Sequence, residues 1–82
     1  MKVTEVKVRK VEDKGKLKAF ADVTIDDAIA VHDIRIISGN NGLFVAMPDK
    51  KRKDRWMSTV HPINNEARKI IWDAILEEFD RV

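Results

Sequence analysis

Residues 31–48 read VHDIRIISGNNGLFVAMP, and their patterning points to a central strand followed by a hairpin. From Ile29 to Ile37 the chain carries apolar groups on both faces if extended, with Val31 and Ile37 on one and Ile34 and Ile36 on the other. A strand of that kind belongs in the middle of a sheet. Gly39-Asn40-Asn41-Gly42 then supplies a compact turn, because Asn and Gly tolerate positive φ. Leu43–Met47 is therefore expected to return antiparallel as a hairpin partner. Pro48 has no N–H to give to a ladder and ends that strand.

Upstream the pattern is extended as well. In residues 3–11, VTEVKVRKV, Thr4, Val6 and Val8 fall on one side and Glu5, Lys7 and Arg9 on the other, as a half-buried strand requires. Asp13-Lys14-Gly15 reads as a turn. Residues 16–25 then alternate cleanly, with Leu17, Ala19, Ala21, Val23 and Ile25 on one face and Lys16, Lys18, Phe20, Asp22 and Thr24 on the other. Asp26-Asp27 makes the turn into the central strand.

Downstream, Trp56–His61 is expected to form a fifth short strand closed by Pro62. Asn64 offers a helix N-cap, Glu66 suits the positive end of the helix dipole, and Ala67, Ile71, Ala74, Ile75 and Phe79 recur at helical spacing. This predicts a helix over 65–79. Its end carries Glu77, Glu78 and Asp80, the wrong sign for a C-terminus, and no glycine cap, so fraying is expected there. The fold class is α+β: an antiparallel β-meander of four to five strands followed by one C-terminal α-helix, in a single domain over 1–82. One helix cannot cover both faces of such a sheet. Phe20 with Ile34 and Ile36 points to a second copy covering the rest, so a homodimer formed through the sheet is expected.

The 82 residues contain no cysteine, which excludes disulfides, thiolate metal sites and cysteine nucleophiles and fits a reducing compartment. The N-terminus lacks the apolar run of a signal peptide, and no segment reaches the ~20 apolar residues of a membrane span. A cytoplasmic location is expected. The net charge of +2 is unevenly spread: residues 1–18 carry +4, 19–49 carry −4, 50–55 carry +4 and 56–82 carry −2. A positive field that local marks a candidate site.

Three segments taken in order, HDIRII and GNNGLFVAMP within residues 32–48 and HPIN at 61–64, resemble the stage V sporulation protein G family, and the similarity runs along essentially the whole chain. The resemblance implies a small dimeric bacterial regulator that binds DNA and RNA, associated with sporulation, septum formation and control of gene expression. In that family a Pro-Asp-Gly type turn commonly follows the Met-Pro dipeptide; here Lys51-Arg52-Lys53-Asp54 stands in its place. The chain also ends close to the helix end, where many relatives continue into a polar tail, and functions resting on such a tail are not expected.

Clustered cations gain affinity for nucleic acid by releasing condensed counterions. Lys50, Lys51, Arg52, Lys53 and Arg55 form the candidate binding loop, and full engagement of all five implies a slope of log affinity against log salt of about −4 to −5. Arg52 and Arg55 have the planar forks that can pair with guanine edges. Arg68 and Lys69, in the first turns of the helix, are candidate secondary contacts. Lys7, Arg9, Lys16 and Lys18 would extend the positive surface from the strand faces. Trp56 is expected to pack on the sheet, with base stacking as the alternative. His32 beside Asp33, and Ser58 three residues before His61, lack the converging groups of a metal or hydrolase site. The chain is therefore read as a non-enzyme without metal or cofactor. The alternative function is a protein-interaction module of the division or sporulation machinery without direct nucleic-acid binding.

Overall fold

A computed structural model describes residues 1–11 and 15–82. The predicted turn at Asp13-Lys14-Gly15 falls, save for Gly15, outside the described residues. Four strands, β1 (Val3–Lys10), β2 (Leu17–Ile25), β3 (Ile29–Gly39) and β4 (Gly42–Ala46), form one antiparallel sheet in sequential order. A separate two-stranded ribbon, β5 (Asp49–Arg52) and β6 (Arg55–Ser58), follows, and the chain closes with α1 (Asn65–Arg81). The helix lies across one face of the sheet and touches both edge strands, β1 and β4.

The core forms where that helix meets the sheet. Ala19, Ala21 and Val23 of β2, Val31, Ile34 and Ile36 of β3, Val45 of β4, and Ile71 and Ile75 of α1 are buried together. The alternation predicted for β2 holds; that for β3 does not. Val31, Ile34 and Ile36 share one face because β3 carries an extra residue: Ala21 pairs with Ile34 and Val23 with Val31, and Asp33 takes φ 62°. Such a bulge resets the two-residue period and turns the residues beyond it over. Asp suits the site because it tolerates the left-handed region better than most side chains, and its N–H is held by Asp22 Oδ1 at 3.1 Å.

A second irregularity, between Val3 and Glu5 of β1, brings Val3 onto the core side with Val6 and Val8 and takes Thr4 off it. The Thr4 hydroxyl instead donates to the Thr24 carbonyl at 3.3 Å and accepts the Asp27 N–H at 3.1 Å. It thereby pins the turn in which Asp26 and Asp27 both take positive φ, a left-handed turn closed by Ala28 N–H to Ile25 O at 3.0 Å. In the β3–β4 hairpin only Gly42 lies in the left-handed region, at φ 114°, while Asn40 and Asn41 do not. That glycine completes a right-handed turn between two strands.

Asn64 caps the helix as predicted, its side chain accepting the Ala67 N–H at 2.7 Å. The helix runs two residues beyond the predicted end, to Arg81. Its acidic C-terminal turn is met by Lys10 of β1, whose ammonium lies 4.8 Å from the Phe79 ring centroid and donates to the Val82 carbonyl. Arg81 adds an ion pair with Glu78 at 3.4 Å. Cations there offset the partial negative charge of the last carbonyls.

Among the described residues, no helix lies on the opposite face of the sheet. Ile34 and Ile36, assigned by patterning to a dimer surface, lie in the core. The uncovered face presents Phe20, Ile37 and Phe44 instead, with Ile37 directly opposite Phe44 and Phe44 40% exposed.

Candidate nucleic-acid interface

The basic run is not an irregular loop. Lys50, Lys51 and Arg52 lie in β5, Arg55 opens β6, and Lys53-Asp54 turns between them. The predicted fifth strand, Trp56–His61, is observed as Arg55–Ser58 and pairs with the basic run rather than with the meander. The ribbon follows from composition. Asp49–Arg52 holds no apolar residue to bury, so the segment makes its ladder bonds with its neighbour and leaves its cationic side chains in water.

Its turn is tight and costly. Lys53 takes φ 51° at the first of the two central positions, where a hairpin of this kind prefers glycine. The ribbon is fastened at its root: Thr59 gives both its N–H, at 2.9 Å, and its hydroxyl, at 3.2 Å, to the Pro48 carbonyl. Arg35 of β3 grips Asp49, with one guanidinium nitrogen 3.3 Å from each carboxylate oxygen.

The register divides the side chains between two faces. Lys50 opposes Met57 and Arg52 opposes Arg55, which puts Lys50, Arg52, Arg55 and Met57 on one face. Lys51 opposes Trp56, which puts those two on the other. Trp56 is 65% exposed, so the expectation that it packs on the sheet is corrected: β6 pairs with β5 alone and joins no ladder of the sheet, which leaves the indole in water. Patterning missed this because an aromatic residue opening a strand reads the same on a core strand and on a free ribbon.

Electrostatically the ribbon differs from the rest of the surface. Among the described residues, none of the cations Lys50, Lys51, Arg52, Lys53 and Arg55 has a carboxylate within ion-pairing distance. Asp49 is already taken by Arg35. Of the strand-face cations, Arg9 lies 3.4 Å from Asp22, 3.9 Å from Asp33 and over the Phe20 ring, Lys7 lies 3.5 Å from Glu5, and Lys16 has no ion pair among the described residues. Lys18 donates to the Gly15 carbonyl at 3.3 Å.

Arg68 joins the ribbon, whereas Lys69 does not. Arg68 lines a groove with Met57 and Ser58 of β6 and Trp72 of the helix. Lys69, one residue further on and a step of about 100° around the helix axis, does not line that groove. His32 sits apart from the ribbon, its Nδ1 3.5 Å from Asp22, whereas His61 lines the same groove as Arg68, with its Nδ1 3.2 Å from the Pro62 carbonyl. No helix among the described residues is long and apolar enough to cross a membrane.

Comparison with known proteins places this arrangement. The chain is 48% identical to a Staphylococcus carnosus (strain TM300) protein named as a septation protein SpoVG, over 98% of this chain and 76% of that one. It is 45% identical to a septation protein SpoVG of Staphylococcus aureus (strain MRSA252), over 100% of this chain and 83% of the relative. A septation protein SpoVG 2 of Listeria monocytogenes serotype 4b (strain F2365) is 48% identical, over 100% of this chain and 81% of its own. The SpoVG family profile matches residues 1–81, and with relatives at this identity over nearly the whole of this chain the chain belongs to the SpoVG family.

Proposed function

We propose that this chain is a small regulatory protein of septation and sporulation that binds nucleic acid, DNA and RNA, through the β5–β6 ribbon. It acts by binding, without catalysis and without a metal or cofactor. The observation that carries this reading is the ribbon itself: five cations on one exposed hairpin with no carboxylate partner among the described residues. An unpaired cation cluster is held together against its own repulsion, and a polyanion relieves that repulsion while releasing its condensed counterions. A two-stranded ribbon also has the dimensions to enter a groove about 12 Å wide. Arg68 supports the same face from the helix, and Lys69, outside that groove, contributes less.

The biological setting comes from the relatives, which carry the name of septation proteins. Dimerisation through the sheet belongs to the same reading. It rests on the uncovered face bearing Phe20, Ile37 and Phe44, since a second copy would remove that apolar surface from water. A dimer would double the number of cations presented to one ligand.

The test is fluorescence anisotropy of labelled duplex DNA, single-stranded DNA and RNA at low and physiological salt. The native protein is compared with a variant in which Lys50, Lys51, Arg52, Lys53 and Arg55 are changed to Ser. The expected result is binding that survives physiological salt and is lost in the still-folded variant. Equal binding by both proteins would move the site off the ribbon. No binding by either would leave the ribbon as a docking element for an acidic protein surface.

A further inference from the structure

We propose that the ribbon reads single-stranded nucleic acid, with Trp56 stacking on an unpaired base while Lys51 beside it holds an adjoining phosphate. This rests on the nucleic-acid reading above and names the ligand class that the site prefers.

The two faces of the ribbon are chemically different. One carries Lys50, Arg52 and Arg55 together with Met57, and Arg68 faces the Met57 end of it across the groove. That is a phosphate-binding surface. The other carries Lys51 and Trp56 as a directly opposed pair, an indole and an ammonium on neighbouring strands. The indole is 65% exposed, and the ribbon makes no ladder with the four-stranded sheet that could cover it.

An aromatic ring left in water among unpaired cations matches what a nucleotide offers, a π-face and a negative charge side by side. A duplex cannot use this face. Its bases already stack on one another, and a ribbon that turned its arginine face into a groove would leave Trp56 pointing back into solvent. An unpaired strand has free base faces and a flexible backbone, so it can cover the indole while its phosphates track the cations. Stacking is tolerant of sequence, because every base has a π-face; the expected preference is for unpaired over paired strands rather than for particular bases.

The experiment compares native protein, Trp56→Ala and Trp56→Phe on a labelled oligothymidylate and on a labelled duplex of equal length. Trp56→Ala is expected to weaken oligothymidylate binding by roughly 5- to 150-fold, the range of one base–aromatic stack, and duplex binding by less than about twofold. Trp56→Phe is expected to retain most single-strand affinity. The salt slope should be unchanged in both variants, since no charge is removed. Trp56 is one of two tryptophans, so a Trp72→Phe background leaves it as the single fluorophore, and oligothymidylate is expected to quench its emission. Unchanged emission, or equal weakening on both probes, would overturn the proposal. Native protein that binds both probes, with Trp56→Ala indistinguishable from it, would overturn this inference alone. Native protein that binds neither would overturn the nucleic-acid reading with it.

Discussion

Arg35 on the central strand holds Asp49 at the first position of the ribbon, one guanidinium nitrogen lying 3.3 Å from each carboxylate oxygen. The pair ties the ribbon to the sheet and removes from the cation cluster the carboxylate that would otherwise neutralise part of it. Both side chains are about a third exposed, at 37% and 30%. The expected coupling in a double-mutant cycle of Arg35→Ala and Asp49→Ala is therefore small, about 0.2 to 1 kcal/mol. Binding should respond with opposite signs: Asp49→Asn raises affinity for a labelled oligonucleotide at low salt, and Arg35→Ala lowers it. The same sign for both would show that the pair does not set the local charge.

Lys53 combines a functional charge with an unfavourable backbone conformation, φ 51° at a hairpin position suited to glycine. Lys53→Gly should relieve about 1 kcal/mol of local strain while removing one cation. Amide exchange at Arg52 and Arg55, the hydrogen-bonded pair that closes the turn, followed by NMR, is expected to slow, and the magnitude of the salt slope to fall by roughly 0.7 to 0.9. Faster exchange would mean that the turn gains more from side-chain interactions than it loses to strain.

Asn64 accepts the Ala67 N–H at 2.7 Å and satisfies one of the first free donors of the only helix among the described residues. Asn64→Ala is expected to cost about 1 kcal/mol in urea unfolding, and Asn64→Asp to cost little. The helix supplies Ile71 and Ile75 to the core. A measured cost should therefore appear in the global transition and not as local fraying.

Asp33 is the extra residue of the β3 bulge, with φ 62°. Asp33→Val should destabilise the fold by about 1 to 2 kcal/mol, because a β-branched side chain fits the left-handed region poorly. Deleting Asp33 should be tolerated better than such a lesion suggests: Val31, Ile34 and Ile36 would then alternate regularly on one face. Cooperative thermal unfolding of the deletion variant is the expected result. Loss of cooperativity would show that the bulge is needed for pairing with β2.

Several elements were legible from local chemistry. The β2 alternation, the hairpin at Gly39–Gly42, the Asn64 cap and the helix each depend on residues a few positions apart, where periodicity and turn chemistry operate. The candidate binding residues were legible for the same reason: Lys50 to Arg55 are contiguous, and a charge cluster in sequence stays a cluster in space. The face of β3 was not legible. An inserted residue leaves no mark in a hydrophobic pattern beyond an apparent strand with two apolar faces, and Ile34 and Ile36 were consequently placed on the wrong side.

Local chemistry accounts for an α+β domain with a localized positive segment, because propensity, alternation and capping act over neighbouring residues. That this segment is a free ribbon with Trp56 exposed beside Lys51, that Arg35 neutralises Asp49 from 14 residues away, and that Lys10 meets the helix end from 72 residues away emerge in the folded chain alone. Ion pairing and burial depend on distances in space, and those are set by which strands pair and where a bulge shifts their register.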